Sequence, residues 1–271
     1  MTKYFKVLAD DLIHHGYKYK LGLNIDILPF NAKDSCGPGG LYYTTEENVL
    51  LFSEYGSLIA EVEPMGQIYE GPEGGKWKTD QLYVKSIVPI TTWLSSKSRK
   101  FQYSMVKQDP NNIRYIIDPA EGVQLVAVKI YGNSIQYIKD PSEKVQLAAI
   151  NNGADPFYIK NPSETVQLAI VKRRGYYIER FENPSEVMQM AAVEQHTDYI
   201  RYFKNPTESV QRKAIEKDPW TLMSIDNPSE EIKQLAAKKS YCMKTYVYMS
   251  RIDTFLRNTF KNMYNKKRRL A

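Results

Sequence analysis

Six prolines, Pro119, Pro141, Pro162, Pro184, Pro206 and Pro228, recur at steps of 22, 21, 22, 22 and 22 residues. Each opens a variant of one phrase, Asn/Asp-Pro-Ser-Glu-x-Val-Gln-Leu-Ala-Ala-Val. A unit this short cannot bury its own apolar face, so a fixed period held over six copies predicts stacked repeats with a continuous core. The phrase also reads as a helix start. Asp118, Asp140, Asn161, Asn183, Asn205 and Asn227 suit the N-cap, and the proline suits the first helical position. Glu121, Glu143, Glu164, Glu186, Glu208 and Glu230 then fall at the third position, as in a capping box.

Beyond that start a helical period places Val145, Ala148 and Ala149 on one face, with Leu147 and Ile150 flanking it. A second, shorter helix closes each unit on an aromatic–aliphatic pair, such as Tyr115-Ile116, Tyr137-Ile138, Tyr158-Ile159 or Tyr202-Phe203. Phe101 to Ile116 resembles a unit without its Pro-Ser-Glu start, as a terminal cap would be, and Trp93 and Leu94 are placed to dock on it. The expectation is an α+β domain over residues 1–92 and an all-α solenoid of about six 22-residue repeats over 93–240. A capping helix and basic tail fill 241–271. The repeats resemble those of HEAT-type and leucine-rich-variant proteins. They are most similar to an uncharacterised Asn-Pro-Ser-Glu repeat of large DNA virus, phage and bacterial proteins, a resemblance that implies architecture and not activity.

Charge divides along the same line. Residues 1–94 hold 8 Lys/Arg and 12 Asp/Glu, a net −4, whereas 95–271 hold 29 and 19, a net +10. The basic half favours a polyanionic partner. Cys36 and Cys242 stand far apart, and His14, His15 and His196 form no ligand spacing, so no structural metal is expected. The chain has no apolar run of membrane-spanning length and no signal-peptide pattern, which predicts an intracellular, cytoplasmic protein with no membrane partner.

In the first ninety residues, Tyr4 to Leu12 reads as a strand running into a short helix, and Tyr17 to Asn24 alternates. Cys36-Gly37-Pro38-Gly39-Gly40 makes a tight loop, Leu41 to Thr45 is β-prone, and Glu46 to Tyr55 can form a short helix. Leu58 to Val62 and Gln81 to Ile90 read as strands, with loop signals at Gly66 and over Gly71 to Gly75. Gly39-Gly40-Leu41-Tyr42-Tyr43-Thr44, the helix ending at Tyr55, and Ser57 to Gly66 resemble the middle of ADP-ribosyltransferase domains of the poly-ADP-ribose polymerase and RNA 2′-phosphotransferase branches. His15-Gly16 resembles their early His-Gly. The resemblance implies NAD as cofactor. His15 and Gly16 would meet its ribose, and Tyr42 and Tyr55 would pack on the nicotinamide. His15, Tyr42 and Asp80 would be the catalytic set. Asp80 stands where the family has glutamate, to stabilise the oxocarbenium charge that grows as the glycosidic bond breaks. The same residues also read as ordinary loop histidines, alternating strand tyrosines and a strand-flanking aspartate.

Gln124, Gln146, Gln167, Gln189 and Gln211 repeat at one position, either as a ladder that reads a ligand or, the favoured reading, as hydrogen bonds between adjacent repeats. Arg173, Arg174, Arg201, Arg212 and Lys213 break the consensus with positive charge, as a basic stripe for nucleic acid or a partner protein, or as a solvated face. Ile252, Phe255, Leu256, Phe260 and Met263 share a helical face suited to closing the stack, and Asn265 to Arg269 forms a basic tail compatible with nuclear import. One reading is therefore an ADP-ribosyltransferase or NAD-binding protein whose solenoid presents a macromolecular target. The alternative is a non-catalytic solenoid for nucleic acid or protein with a degenerate N-terminal domain. A HEAT-like base glycosylase ranks last, since no lone Asp sits among aromatics in the repeats.

Overall fold

The computed structural model describes residues 2–33, 37–72 and 74–250. Cys36, the apolar face from Ile252 to Met263 and the basic tail lie outside them. The chain forms two compact units, Met1–Tyr158 and Ile159–Ala271. The architecture is an antiparallel sheet domain followed by helical repeats.

The sheet is built from β1 (Tyr4–Leu8), β4 (Gly22–Ile25), β5 (Leu41–Thr45), β6 (Leu58–Pro64), β7 (Ile68–Glu70), β8 (Lys76–Thr79) and β9 (Gln81–Pro89). Its order is β4-β9-β6-β1-β5-β8-β7, and every pairing is antiparallel. The short strands β2 (Ile13–His14) and β3 (Tyr17–Lys18) pair separately. The expected helix after β1 is instead this hairpin. Its two central residues, His15 at φ 50° and Gly16 at φ 78°, have the left-handed backbone of a type I′ turn, the turn whose twist matches its strands. A 3-10 segment, Val49–Tyr55, takes the place of the expected α-helix before β6. The core gathers Leu8, Tyr19, Leu41, Tyr43, Ala60, Val62, Leu82 and Val84. Strand β1 lies at the middle of the seven, so even its polar third residue, Lys6, is buried.

At Pro89 the sheet runs directly into α1 (Ile90–Ser95), followed by α2 (Arg99–Gln108). The Trp93 ring meets Phe5 at 5.5 Å and Phe101 at 5.8 Å, edge on in both cases, and so joins β1 to the first helices. Each repeat then has one α-helix of nine or ten residues: α3 (Glu121–Ile130), α4 (Glu143–Asn151), α5 (Glu164–Arg173), α6 (Glu186–Gln195), α7 (Glu208–Lys217) and α8 (Glu230–Lys239). A closing helix, α9, spans Tyr241–Ser250. The expected second helix of each unit is a 3-10 turn, for example Gly132–Tyr137 and Gly175–Arg180. In α4 the buried set is Val145, Ala149 and Ile150, with Ala148 only half-buried. The equivalent positions Ala127, Ala149, Ala192, Ala214 and Ala236 are all fully buried, which brings neighbouring helices close.

The helix starts differ from the expected pattern. The residues before proline do not cap. Asp118, Asp140, Asn161 and Asn227 take φ of 47–51°, in the left-handed region that Asn and Asp tolerate. The caps are Ser142, Ser163, Thr207 and Ser229, two residues later. Each has an extended backbone and accepts a backbone N–H three residues on, at 3.3–3.5 Å. A residue before proline is disfavoured in the helical region, and proline's fixed φ serves an extended chain as well as a helix. The Asn-Pro-Ser run therefore becomes a tight corner, and the glutamate is the first helical residue, still at the positive end of the dipole.

The repeated glutamines bond within their own unit and not between repeats. In each unit the Gln Nε2 donates to the carbonyl of its own proline: Gln124 to Pro119 at 2.7 Å, Gln146 to Pro141 at 3.0 Å, and Gln167, Gln189 and Gln211 to Pro162, Pro184 and Pro206 at 2.9 Å. The bond folds the corner back onto the first turn of the helix. Joining of repeats falls to other side chains. Ser142 donates to Glu121 at 2.8 Å, Asn152 to the Val128 carbonyl at 2.9 Å, and Gln195 to the Val171 carbonyl at 2.6 Å.

Gln167→Ala should lower the denaturation midpoint by an amount worth about 1 kcal/mol, the net value of a partly buried hydrogen bond. Urea unfolding followed by circular dichroism measures this, and unchanged stability would remove the clamp.

Candidate functional site

Lys6 is the residue around which the site is built. It lies on the central strand β1, 3% exposed, and its Nζ donates to the Tyr42 carbonyl at 3.1 Å and meets His14 Nδ1 at 3.2 Å. The Tyr19 ring lies 4.7 Å from the same Nζ. Burial first, and then the Lys76 charge, pull the Lys6 pKa down to about 7. His14 is pushed down to about 3, by burial first and then by Lys6, His15 and Lys76. A neutral His14 that accepts on Nδ1 carries its hydrogen on Nε2. That Nε2 is buried and has no hydrogen-bond partner among the described residues.

Aromatic rings surround these amines. His14 and His15 lie 4.2 Å apart, His14 meets Tyr55 edge-on at 5.3 Å, and His15 faces Tyr42 at 6.4 Å. Lys76 Nζ lies 4.6 Å over the Tyr42 ring, and Lys78 Nζ lies 5.7 Å from it. Lys6, His14, His15, Tyr42, Tyr55 and Lys76, together with Phe52 and Thr44, line a cavity of about 150 Å³. Its described lining includes Lys6, Lys76, His14 and His15 but no carboxylate. A second cavity of about 170 Å³ shares His14, His15 and Tyr42 and reaches Tyr17, Tyr19, Asp26 and the Gly37–Gly40 loop.

The structure therefore brings together His15, Tyr42 and Tyr55. Gly16 serves the hairpin turn and lines neither cavity. Asp80 stands apart from both. Its Oδ1 accepts the Gln67 N–H at 2.7 Å, and a Cβ on Gly66 would meet that oxygen at 1.8 Å, so the carboxylate is packed into the turn between β6 and β7. It sits where the chain leaves β8 for β9, a place set by topology and not by the cavity. Lys6 and Lys76 were not picked out in the sequence, where Tyr-Phe-Lys-Val-Leu places Lys6 on the alternate, solvent-facing side of its strand.

In the repeats, four of the five basic residues singled out in the sequence, Arg174, Arg201, Arg212 and Lys213, have described partners. Arg212 pairs with Glu208 at 2.7 Å and Lys213 with Glu194 at 3.8 Å. Arg201 donates to the Tyr202 hydroxyl at 2.8 Å and stacks over that ring at 4.8 Å. Arg174 hydrogen-bonds Tyr176, and Arg173 is exposed at the end of α5. In the first unit Arg114 lies between the rings of Tyr115 and Tyr137, at 4.8 and 5.9 Å. Among the described residues no cluster of three or more His, Cys, Asp or Glu could hold a metal ion, and no helix is long and apolar enough to cross a membrane.

The chain is similar over short segments to proteins of Acanthamoeba polyphaga mimivirus. Two named as ankyrin repeat proteins are 44% identical over 61 residues and 36% identical over 67 residues. Each match covers 22% of this chain, and 30% and 22% of the respective relative. An uncharacterized protein of the same virus is 38% identical over 61 residues, 22% of this chain and 44% of its own. The chain thus spans less than a third of the length of the two ankyrin-named relatives. Ankyrin units recur at about 33 residues, so the 22-residue period here is a different repeat from the one their names describe. No family model matches the chain. No solved structure matches it.

The lowered Lys6 pKa sets a pH dependence. Between about pH 7 and 10.5 the unfolded chain holds a proton that the folded chain has released, so stability rises with pH through that window. Lys6→Met should flatten this slope and stabilise the protein most at and below pH 7. Thermal melts at pH 6.5, 7.5 and 8.5 test it (about one unit apart across the window), and parallel slopes for the two proteins would contradict it.

Proposed function

We propose that the chain is a non-catalytic repeat protein whose helical repeats hold a protein partner. The observation that carries this reading is the engagement of the basic residues. Sequence-independent nucleic-acid binding needs cations free to replace the counterions of phosphates. Arg212 and Lys213 are set against carboxylates, and Arg114, Arg174 and Arg201 against tyrosines. Exposed tyrosine with stacked arginine is the chemistry enriched at protein interfaces and their energetic centres. Within each unit such rings recur on the 3-10 turns: Tyr137 and Phe157 in the first, Tyr176 in the second. The mimivirus relatives named for repeats support a repeat-based binding role.

A second reading is favoured by the convergence of His15, Tyr42 and Tyr55 on one cavity. In it the sheet domain binds NAD. Transfer of ADP-ribose needs a carboxylate beside the developing sugar cation, and the Asp80 carboxylate is occupied by the Gln67 N–H. The purified protein should accordingly release no nicotinamide above the uncatalysed rate, and release would overturn the non-catalytic reading.

For the repeats, titration of random duplex DNA and single-stranded RNA at about 50 and 200 mM salt should show no binding tighter than the non-specific range of about 10⁻⁴ to 10⁻⁶ M. Tight binding with a steep salt slope would replace the protein partner by nucleic acid. Arg201→Ser should weaken binding of a protein partner of the repeats by at least about tenfold, with the fold intact by circular dichroism.

A further inference from the structure

A buried lysine at the centre of a sheet is costly unless something compensates its charge. Lys6 hydrogen-bonds a carbonyl and an imidazole, neither of which is anionic. Every described ionisable neighbour that faces it is cationic or neutral. These are His14 on β2, His15 in the hairpin turn, Tyr19 after β3, Tyr42 on β5 and Lys76 on β8. A carboxylate placed here would have made an ordinary buried ion pair. Instead there is a cavity with two amines, two imidazoles and five aromatic rings on its wall.

We propose that this cavity binds a small ligand consisting of one planar ring bearing an oxyanion, the oxyanion set against Lys6 and Lys76 and the ring among Tyr42, Phe52, Tyr55 and His15. The volume of about 150 Å³ matches that of an engineered protein cavity that takes up benzene, so a single six-membered ring is accommodated. Offset or edge-on contacts from Tyr42 and Tyr55 suit such a ring. Carboxylate and phosphate share the required chemistry. The site is independent of what the repeats hold.

Binding of an anion favours the protonated lysine, so the complex takes up a proton wherever the unliganded Lys6 is neutral. Affinity should therefore fall by up to tenfold per pH unit above about pH 7. A lysine with only a structural role gives no such linkage. The test is calorimetry on the full chain with benzoate, phenyl phosphate, inorganic phosphate and the neutral ring benzyl alcohol, at pH 6.5 and 8.5 (about two units apart).

The expected result is saturable binding of benzoate or phenyl phosphate at pH 6.5, weakened at least tenfold at pH 8.5, with benzyl alcohol much weaker. The stronger of the two anions identifies the oxyanion. Lys6→Met should abolish both the binding and its pH dependence. Tyr55 is 44% exposed, so Tyr55→Ala is expected to fold; it should weaken the ring-bearing anions and leave inorganic phosphate unchanged. Should Lys6→Met not fold, the pH profile of the unaltered chain and the Tyr55→Ala comparison decide the matter alone. No saturable binding of either ring anion up to about 10 mM, or binding with the same affinity at both pH values, overturns the proposal.

Discussion

The apolar face of a ten-residue helix has nowhere to go within its own 22-residue unit, and every other feature of the repeats follows from that constraint. Burial must come from the next copy, so the buried positions are small or β-branched and recur in register: Val145, Ala149 and Ile150 in α4, Val210, Ala214 and Ile215 in α7. Close approach leaves little space for a second helix. The return segment tightens into a 3-10 turn of six residues, whose buried isoleucine, Ile135 or Ile178 for instance, fills the same layer. Backbone polar groups at the corner then have few partners, and the glutamine clamp supplies one. Among the described residues, its own Oε1 is left buried without a partner in Gln146, Gln189 and Gln211, which offsets part of what the clamp contributes.

Periodicity made the repeats legible because stacking imposes the same demand on every copy. What the sequence did not reveal was how each copy turns its corner. Asn-Pro-Ser-Glu fits two helix starts, one capped at Asn and one at Ser. The choice depends on whether proline begins the helix or extends the chain before it. The backbone chose the second, and Ser142 and Ser163 became caps. The glutamines were misjudged for a related reason. A side chain repeated in every unit serves the unit itself as readily as the stack, and only the position of the proline carbonyl distinguishes the two.

In the sheet domain the strands were legible from alternation, but the site was legible only in part. His15, Tyr42 and Tyr55 come from three separate elements and line one cavity. Asp80 failed to join them because it marks the passage from β8 to β9, a feature of sheet order that no local pattern encodes. Lys6 was hidden by its own strand. A lysine between Phe5 and Val7 reads as the solvent-facing alternate, and it becomes a buried group only when β1 is known to lie in the middle of the seven strands.

The clamp within each repeat also bears on how such an array changes over generations. A bond that begins and ends inside one unit travels with that unit when the gene duplicates or loses it. Excising the 22 residues from Pro184 to Asn205 would leave every remaining glutamine opposite its own proline. Only contacts such as Ser142 with Glu121 would meet a new neighbour, and the repeated phrase supplies that neighbour with nearly the same residues. The final unit, where Lys233 replaces the glutamine and turns to Glu230 instead, has left this scheme. The number of repeats is thus a quantity that descent can adjust in whole steps.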